Sequence, residues 1–138
     1  MKITSNKQEL FNQVYTALVA QGKPAFSQED ARCMYLDKET GRKCAIGHLI
    51  PDGHPAQEHN FAVRSLYYEH PELFENGTDI PFLVRLQEAH DNSALDPVSA
   101  PEWLSHFKKH MYLIANQYKL TVPECGPVSC AKPECEAC

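Results

Sequence analysis

The stretch from Ser99 to Lys119 constrains the fold more than any other. Trp103, Leu104, Phe107, Met111, Ile114 and Tyr118 recur at three- and four-residue intervals, which puts them along one side of an α-helix. Pro101 suits the first helical position, and Ser99 and Glu102 have capping-box spacing. So wide an apolar face must be buried against other elements. Two further segments offer partners. Leu10, Phe11, Val14, Tyr15 and Leu18 form a stripe that opens at Asn6, where Asn6 and Glu9 have the spacing of a capping box, and ends at Gly22 and Pro24. Phe82, Leu83, Leu86, Ala89 and His90 share a face of a helix capped by Thr78 or Asp79, which ends at Asp91-Asn92-Ser93. Another helix is expected to open near Pro55, to turn Phe61, Ala62, Leu66 and Tyr67 inward, and to end at Pro71.

Between these helices lies one candidate β element. Cys33-Met34-Tyr35-Leu36 reads as a short strand, Asp37 to Gly41 as a turn, and Arg42 to Ile46 as the returning strand. Gly47-His48-Leu49-Ile50 and Pro51-Asp52-Gly53 then form a sharp exit, read as a single helical turn. The expected fold is α+β and mainly helical: about four helices packed with one β-hairpin at about 32–46, in a single domain covering 1–121. From 122 to 138 the chain has three prolines, four cysteines and no periodicity, and reads as an irregular Cys-rich tail outside the core.

A chain of 138 residues, 43% hydrophobic, is large enough for one core and not for two. Its net charge of −5 argues against a general binder of nucleic-acid backbone, although Arg42 and Lys43 could form a small local patch. No apolar run approaches a membrane span, and MKITSNKQEL lacks a signal-peptide core, so a cytoplasmic setting is expected. There cysteines serve as thiols or metal ligands more often than as disulfides.

Two cysteine groups have metal-binding potential. Cys33, Cys44 and His48 have the spacing C-x10-C-x3-H, and with His90 as a distant fourth ligand they would make a tetrahedral Cys2His2 zinc site tying the hairpin to the helices. The bland alternative is two buried thiols and a half-exposed histidine. In the tail, Cys125, Cys130, Cys135 and Cys138 follow C-x4-C-x4-C-x2-C, the spacing of either a zinc site or a flexible segment that oxidises or takes up metal opportunistically. A catalytic alternative uses Cys44 as nucleophile and His90 as base, oriented by Asp52. Asp91, adjacent to His90, is expected to point elsewhere. No cysteine-hydrolase signature surrounds Cys44, so no residue is assigned as catalytic and the balance is against an enzyme. His106 and His110 lie four apart on the last helix and read as a solvated face. His54, His59 and His70 stand in polar surroundings and suggest no site.

The run Gly41-Arg42-Lys43-Cys44-Ala45-Ile46-Gly47-His48-Leu49-Ile50-Pro51-Asp52, followed by Leu86-Gln87-Glu88-Ala89-His90-Asp91, resembles a group of small uncharacterised bacteriophage and prophage proteins. These share a first helix, a Cys-Tyr hairpin, a G-x-K-C-A-x-G-x-L-I-P-D motif, an A-H-D helix end and a last helix. The resemblance covers roughly residues 6–120 and not the tail. In that group the position of His48 is often Cys, which implies a zinc ligand. The group brings no established activity. It implies only a context, a phage-encoded accessory protein in the cytoplasm of a bacterial host. Small size, acidic charge and the absence of a catalytic signature favour a non-enzymatic protein that binds, and in binding inhibits, a host defence or metabolic macromolecule. A Cys-His enzyme and a virion or assembly component stand as alternatives. A host or phage protein is the expected partner, with no membrane association.

Overall fold

The computed structural model describes residues 2–27, 32–33, 35–37, 40–58, 62–93, 100–123 and 126–127. Four α-helices dominate: α1 (Lys7–Gln21), α2 (Val63–Glu69), α3 (Ile80–Ser93) and α4 (Ala100–Tyr118). The principal helix pair is α3 with α4, and α2 and α1 pack on α3. The apolar stripes of α1, α3 and α4 lie where expected; on α2 only Leu66 of the expected residues is buried, with Ala62 and Tyr67 exposed and Phe61 outside the described residues. Leu10, Phe11, Val14, Tyr15 and Leu18 of α1 are buried, as are Phe82, Leu83, Leu86, Ala89 and His90 of α3. From α4, Trp103, Phe107, Met111 and Ile114 enter the core, where Trp103 stacks on Phe107 at 5.2 Å and Tyr15 on Phe107 at 6.3 Å.

The helix ends follow local chemistry. Asn6 caps α1 by accepting the Glu9 N–H at 3.0 Å. Glu9 does not complete a capping box on Asn6; its carboxylate takes the Thr4 hydroxyl at 3.1 Å, and Thr4 Oγ1 accepts the Asn6 N–H. Gly22 ends the helix with φ +70° and returns its N–H to Leu18. At α3 the cap is Asp79, whose Oδ1 accepts the Phe82 N–H at 3.0 Å. α4 ends with Lys119 in the left-handed region, φ +56°, a conformation that favours glycine. The Ser99 cap lies outside the described residues.

Two expectations need correction. Pro55 does not open α2: Pro55–Glu58 is a 3-10 turn and the helix begins at Val63. Pro71 opens a second 3-10 turn, Pro71–Leu73, just after α2. Nor does a β-hairpin form over 32–46. The turn is present, with the Asp37 N–H bonded to the Arg42 carbonyl and the Gly41 N–H to the Asp37 carbonyl. Arg42 to Ile46, however, is not a strand. The strand β2 (Arg32–Cys33) pairs instead with β1 (Phe26–Ser27), Phe26 opposite Cys33. Side-chain amides take the place of the missing ladder. The Gln21 carboxamide accepts the Lys43 N–H and donates to the Lys43 carbonyl, both at 2.9 Å, as a neighbouring strand would. Beyond α4, β3 (Thr121–Val122) pairs with β4 (Gly126–Pro127), and Val122, read from sequence as the first tail residue, is fully buried in the core. No helix among the described residues is long and apolar enough to cross a membrane.

Candidate functional site

The Lys43–Asp52 stretch has two faces. Its inner face is a hydrogen-bonded hub. Cys44, Ala45 and Ile46 are buried, and the backbone closes a helical turn through His48 N–H to Cys44 O (3.1 Å) and Ile50 N–H to Ile46 O (3.2 Å). This is the single turn expected after Ile46. Gly47 sits so close to the Tyr35 backbone that a Cβ would strike the Tyr35 carbonyl group.

Helix α3 reaches this turn with Gln87, His90 and Asp91. Gln87 Oε1 accepts the Ile46 N–H at 2.9 Å, while its Nε2 donates to Asp91 Oδ1 at 2.6 Å. The same carboxylate oxygen lies 2.9 Å from His90 Nδ1, and the Ala25 N–H donates to His90 Nε2 at 3.1 Å. An N–H aimed at Nε2 requires a lone pair there, so the proton sits on Nδ1 and points at Asp91. The Trp103 indole N–H caps the His90 carbonyl at 3.1 Å, with the two rings edge to face at 5.6 Å.

These bonds decide what the candidate residues can do. Cys44 is 1% exposed, and burial pushes its thiol up to about 12 against the relief supplied by the Gly47 N–H, the Gln87 side chain and the Ile46 N–H. Such a thiol is neither ionised nor reachable at neutral pH. His90 is 0% exposed, with both ring nitrogens engaged. Its acidic partner is Asp91, not Asp52. The expectation that Asp91 points elsewhere is therefore reversed, because its side chain curls back onto the imidazole of its own neighbour. Asp52 lies on the surface, bonded to Lys43 Nζ at 2.7 Å, and the Lys43 hydrogen bond and charge hold its carboxyl below the usual range.

The expected core zinc set meets a similar obstacle. His48 Nε2 lies 3.0 Å from Gln21 Oε1, an acceptor, so this nitrogen donates. Burial, with Lys43 and His90 adding to it, lowers His48 to about 4. His48 is engaged with Gln21 and His90 with Ala25 and Asp91, and Cys44, His48 and His90 are not among the described groups whose ligand atoms lie within 4.8 Å of one another. The side chain of Cys33, and Cys125, Cys130, Cys135 and Cys138, lie outside the described residues.

A different group of side chains could hold a metal ion. His54 Nε2 and His70 Nδ1 lie 3.3 and 3.1 Å from Glu72 Oε2, and the potential ligand atoms all fall within 4.8 Å of one another. The rings meet edge to face at 5.1 Å. The sequence carried a signal that single-residue reasoning passed over. His54-Pro55 and His70-Pro71 are both His-Pro pairs. Each proline holds its histidine out of the helical region and opens a 3-10 turn behind it.

The outer face of the Lys43–Asp52 stretch borders a groove of about 490 Å³ against the exposed side of α1. Lys2, Gln13, Thr16, Lys43, His48 and Pro51 are among its walls. Along α4, His106 is exposed and His110 half-buried. Burial, and then His106, lower the pKa of His110.

No family model matches this chain, and neither does any curated protein or solved structure.

Proposed function

We propose that this is a phage-encoded accessory protein that acts without catalysis, by binding a protein of the bacterial host in the host cytoplasm. One observation carries this reading. The residues best suited to chemistry, Cys44 and His90, are sealed into the core by bonds that build the fold, whereas the outward side chains of the same stretch line an open groove. The groove walls combine apolar Ile3, Leu49 and Ile50 with Lys2 and with Lys43, whose charge is shared with Asp52 on the same wall. That chemistry suits an extended peptide segment bearing an acidic or polar group. Occupying such a segment of a host defence or metabolic protein is a route to inhibiting it.

The test is capture from host lysate with the untagged surface intact, comparing the native protein with Thr16→Arg and Ala17→Arg, which fill the groove from α1 without touching the hub. A specific host protein retained by the native chain and lost by both variants supports the reading. Equal capture by all three removes the groove from it, and capture of nothing specific removes the binding function. Enrichment of the protein in purified virions would favour the assembly role instead.

A further inference from the structure

We infer that His54, His70 and Glu72 form a zinc site at the surface, in which the ion takes the place of the ring N–H bonds that now link both imidazoles to Glu72. The three ligand atoms lie within 4.8 Å of one another, and Glu72 Oε2 stands between the two imidazoles at 3.3 and 3.1 Å. Two imidazole nitrogens and one carboxylate oxygen match zinc and its first-row neighbours, and not calcium or magnesium, which take oxygen ligands. Glu72 is exposed and both histidines are half-buried, so water reaches the site to complete a tetrahedron. The backbone presets the geometry from two segments. His54 is fixed by the turn that bonds its N–H to the Pro51 carbonyl and its own carbonyl to the Gln57 N–H. His70 caps α2 with its N–H on Leu66.

The proton inventory gives the site a distinctive signature. The Ala56 N–H donates to His54 Nδ1 at 3.0 Å, so without metal the His54 proton is on Nε2 and points at Glu72. Zinc needs the Nε2 lone pair. On binding, the proton therefore moves from Nε2 to Nδ1 and the Ala56 bond breaks. At His70 the proton facing Glu72 from Nδ1 must likewise pass to Nε2, so each ring keeps one proton by changing tautomer. Zinc binding at this site must thus switch the His54 tautomer and loosen the Ala56 amide.

The experiment uses the full chain with Cys125, Cys130, Cys135 and Cys138 all changed to serine, which removes competing tail thiols. Calorimetric titration with zinc should give one ion per chain. His54→Ala, His70→Ala and Glu72→Gln should each weaken it by about tenfold or more. All three positions are at the surface, and the conservative Glu72→Gln keeps the result interpretable if an alanine variant unfolds. Long-range ¹H–¹⁵N spectra should show His54 changing from the Nε2–H to the Nδ1–H form as zinc is added. Cobalt in place of zinc should give a spectrum without a sulfur-to-metal charge-transfer band. No zinc uptake, affinity indifferent to the three substitutions, an unchanged His54 tautomer, or a thiolate band with cobalt would each overturn the proposal.

Discussion

Replacing Gln87 by methionine tests whether hydrogen bonds hold the hub together. Methionine keeps the length of the side chain and leaves no cavity, so the change isolates the lost polar contacts. Two are lost. The Ile46 N–H, on a residue with no exposed surface, loses its acceptor at 2.9 Å. An unsatisfied buried donor costs about 1–3 kcal/mol. Asp91 loses a donor at 2.6 Å, but its side chain is 36% exposed and water can replace the amide, so this loss is about 1 kcal/mol or less. Together the variant should lose about 3 kcal/mol, lowering the melting temperature by about 10 °C in a domain of this size. Urea unfolding followed by Trp103 fluorescence reads the change where it occurs, since Trp103 lies against the His90 ring. The midpoint should fall with the slope unchanged. Gln87→Glu sharpens the test. It keeps an acceptor for Ile46 but sets a second carboxylate against Asp91, so its deficit should shrink as pH falls and one carboxyl takes up a proton. A Gln87→Met loss below about 0.5 kcal/mol would refute the reasoning, because a mere contact worth so little could not organise this turn.

Three further outcomes are expected. Cys44, buried and raised to about 12, should label with iodoacetamide at pH 7.5 only at the rate of global unfolding, read by peptide mass mapping; labelling as fast as a free cysteine in a short peptide would contradict its burial. His48 is lowered from 6.5 to about 4 in the folded chain, so protonation favours the unfolded state. Its contribution is complete above pH 6.5 and is lost as pH falls toward 4, by on the order of 2 kcal/mol after allowance for its partial exposure, and His48→Gln should flatten this part of the stability profile. Lys119→Gly, at φ +56°, should raise stability by about 0.5–1 kcal/mol in thermal unfolding, and a decrease would mean that the Lys119 side chain contributes more than its backbone strain costs.

The helices were legible because each burial stripe repeats within its own segment. Phe82, Leu83, Leu86, Ala89 and His90 were assigned to one face by spacing alone, and they are buried together. Caps were legible for the same reason, since Asn6 and Glu9 are three residues apart. The candidate site was much less so. The Cys44–His48–His90 grouping looked like a ligand set because residue type and spacing do not record what each nitrogen is bonded to. The Ala25 N–H settles His90 from 65 positions away, and Gln21 settles His48 from 27. The hairpin expectation failed similarly: Arg42 to Ile46 has strand-like composition, but its backbone is held by the amides of Gln21 and Gln87 and by local turn bonds, not by a second strand.

By itself, then, the sequence determined a mainly helical chain, the inward faces of α1, α3 and α4, and a single turn after Ile46. Only the tertiary structure decided that the inner face of this turn is a hydrogen-bonded tie, that its outer face borders a groove, and that His54, His70 and Glu72 come together. The reason is one of range. Apolar burial leaves a period in the local sequence, whereas a buried polar group is defined by partners that the folded chain alone brings within hydrogen-bond distance.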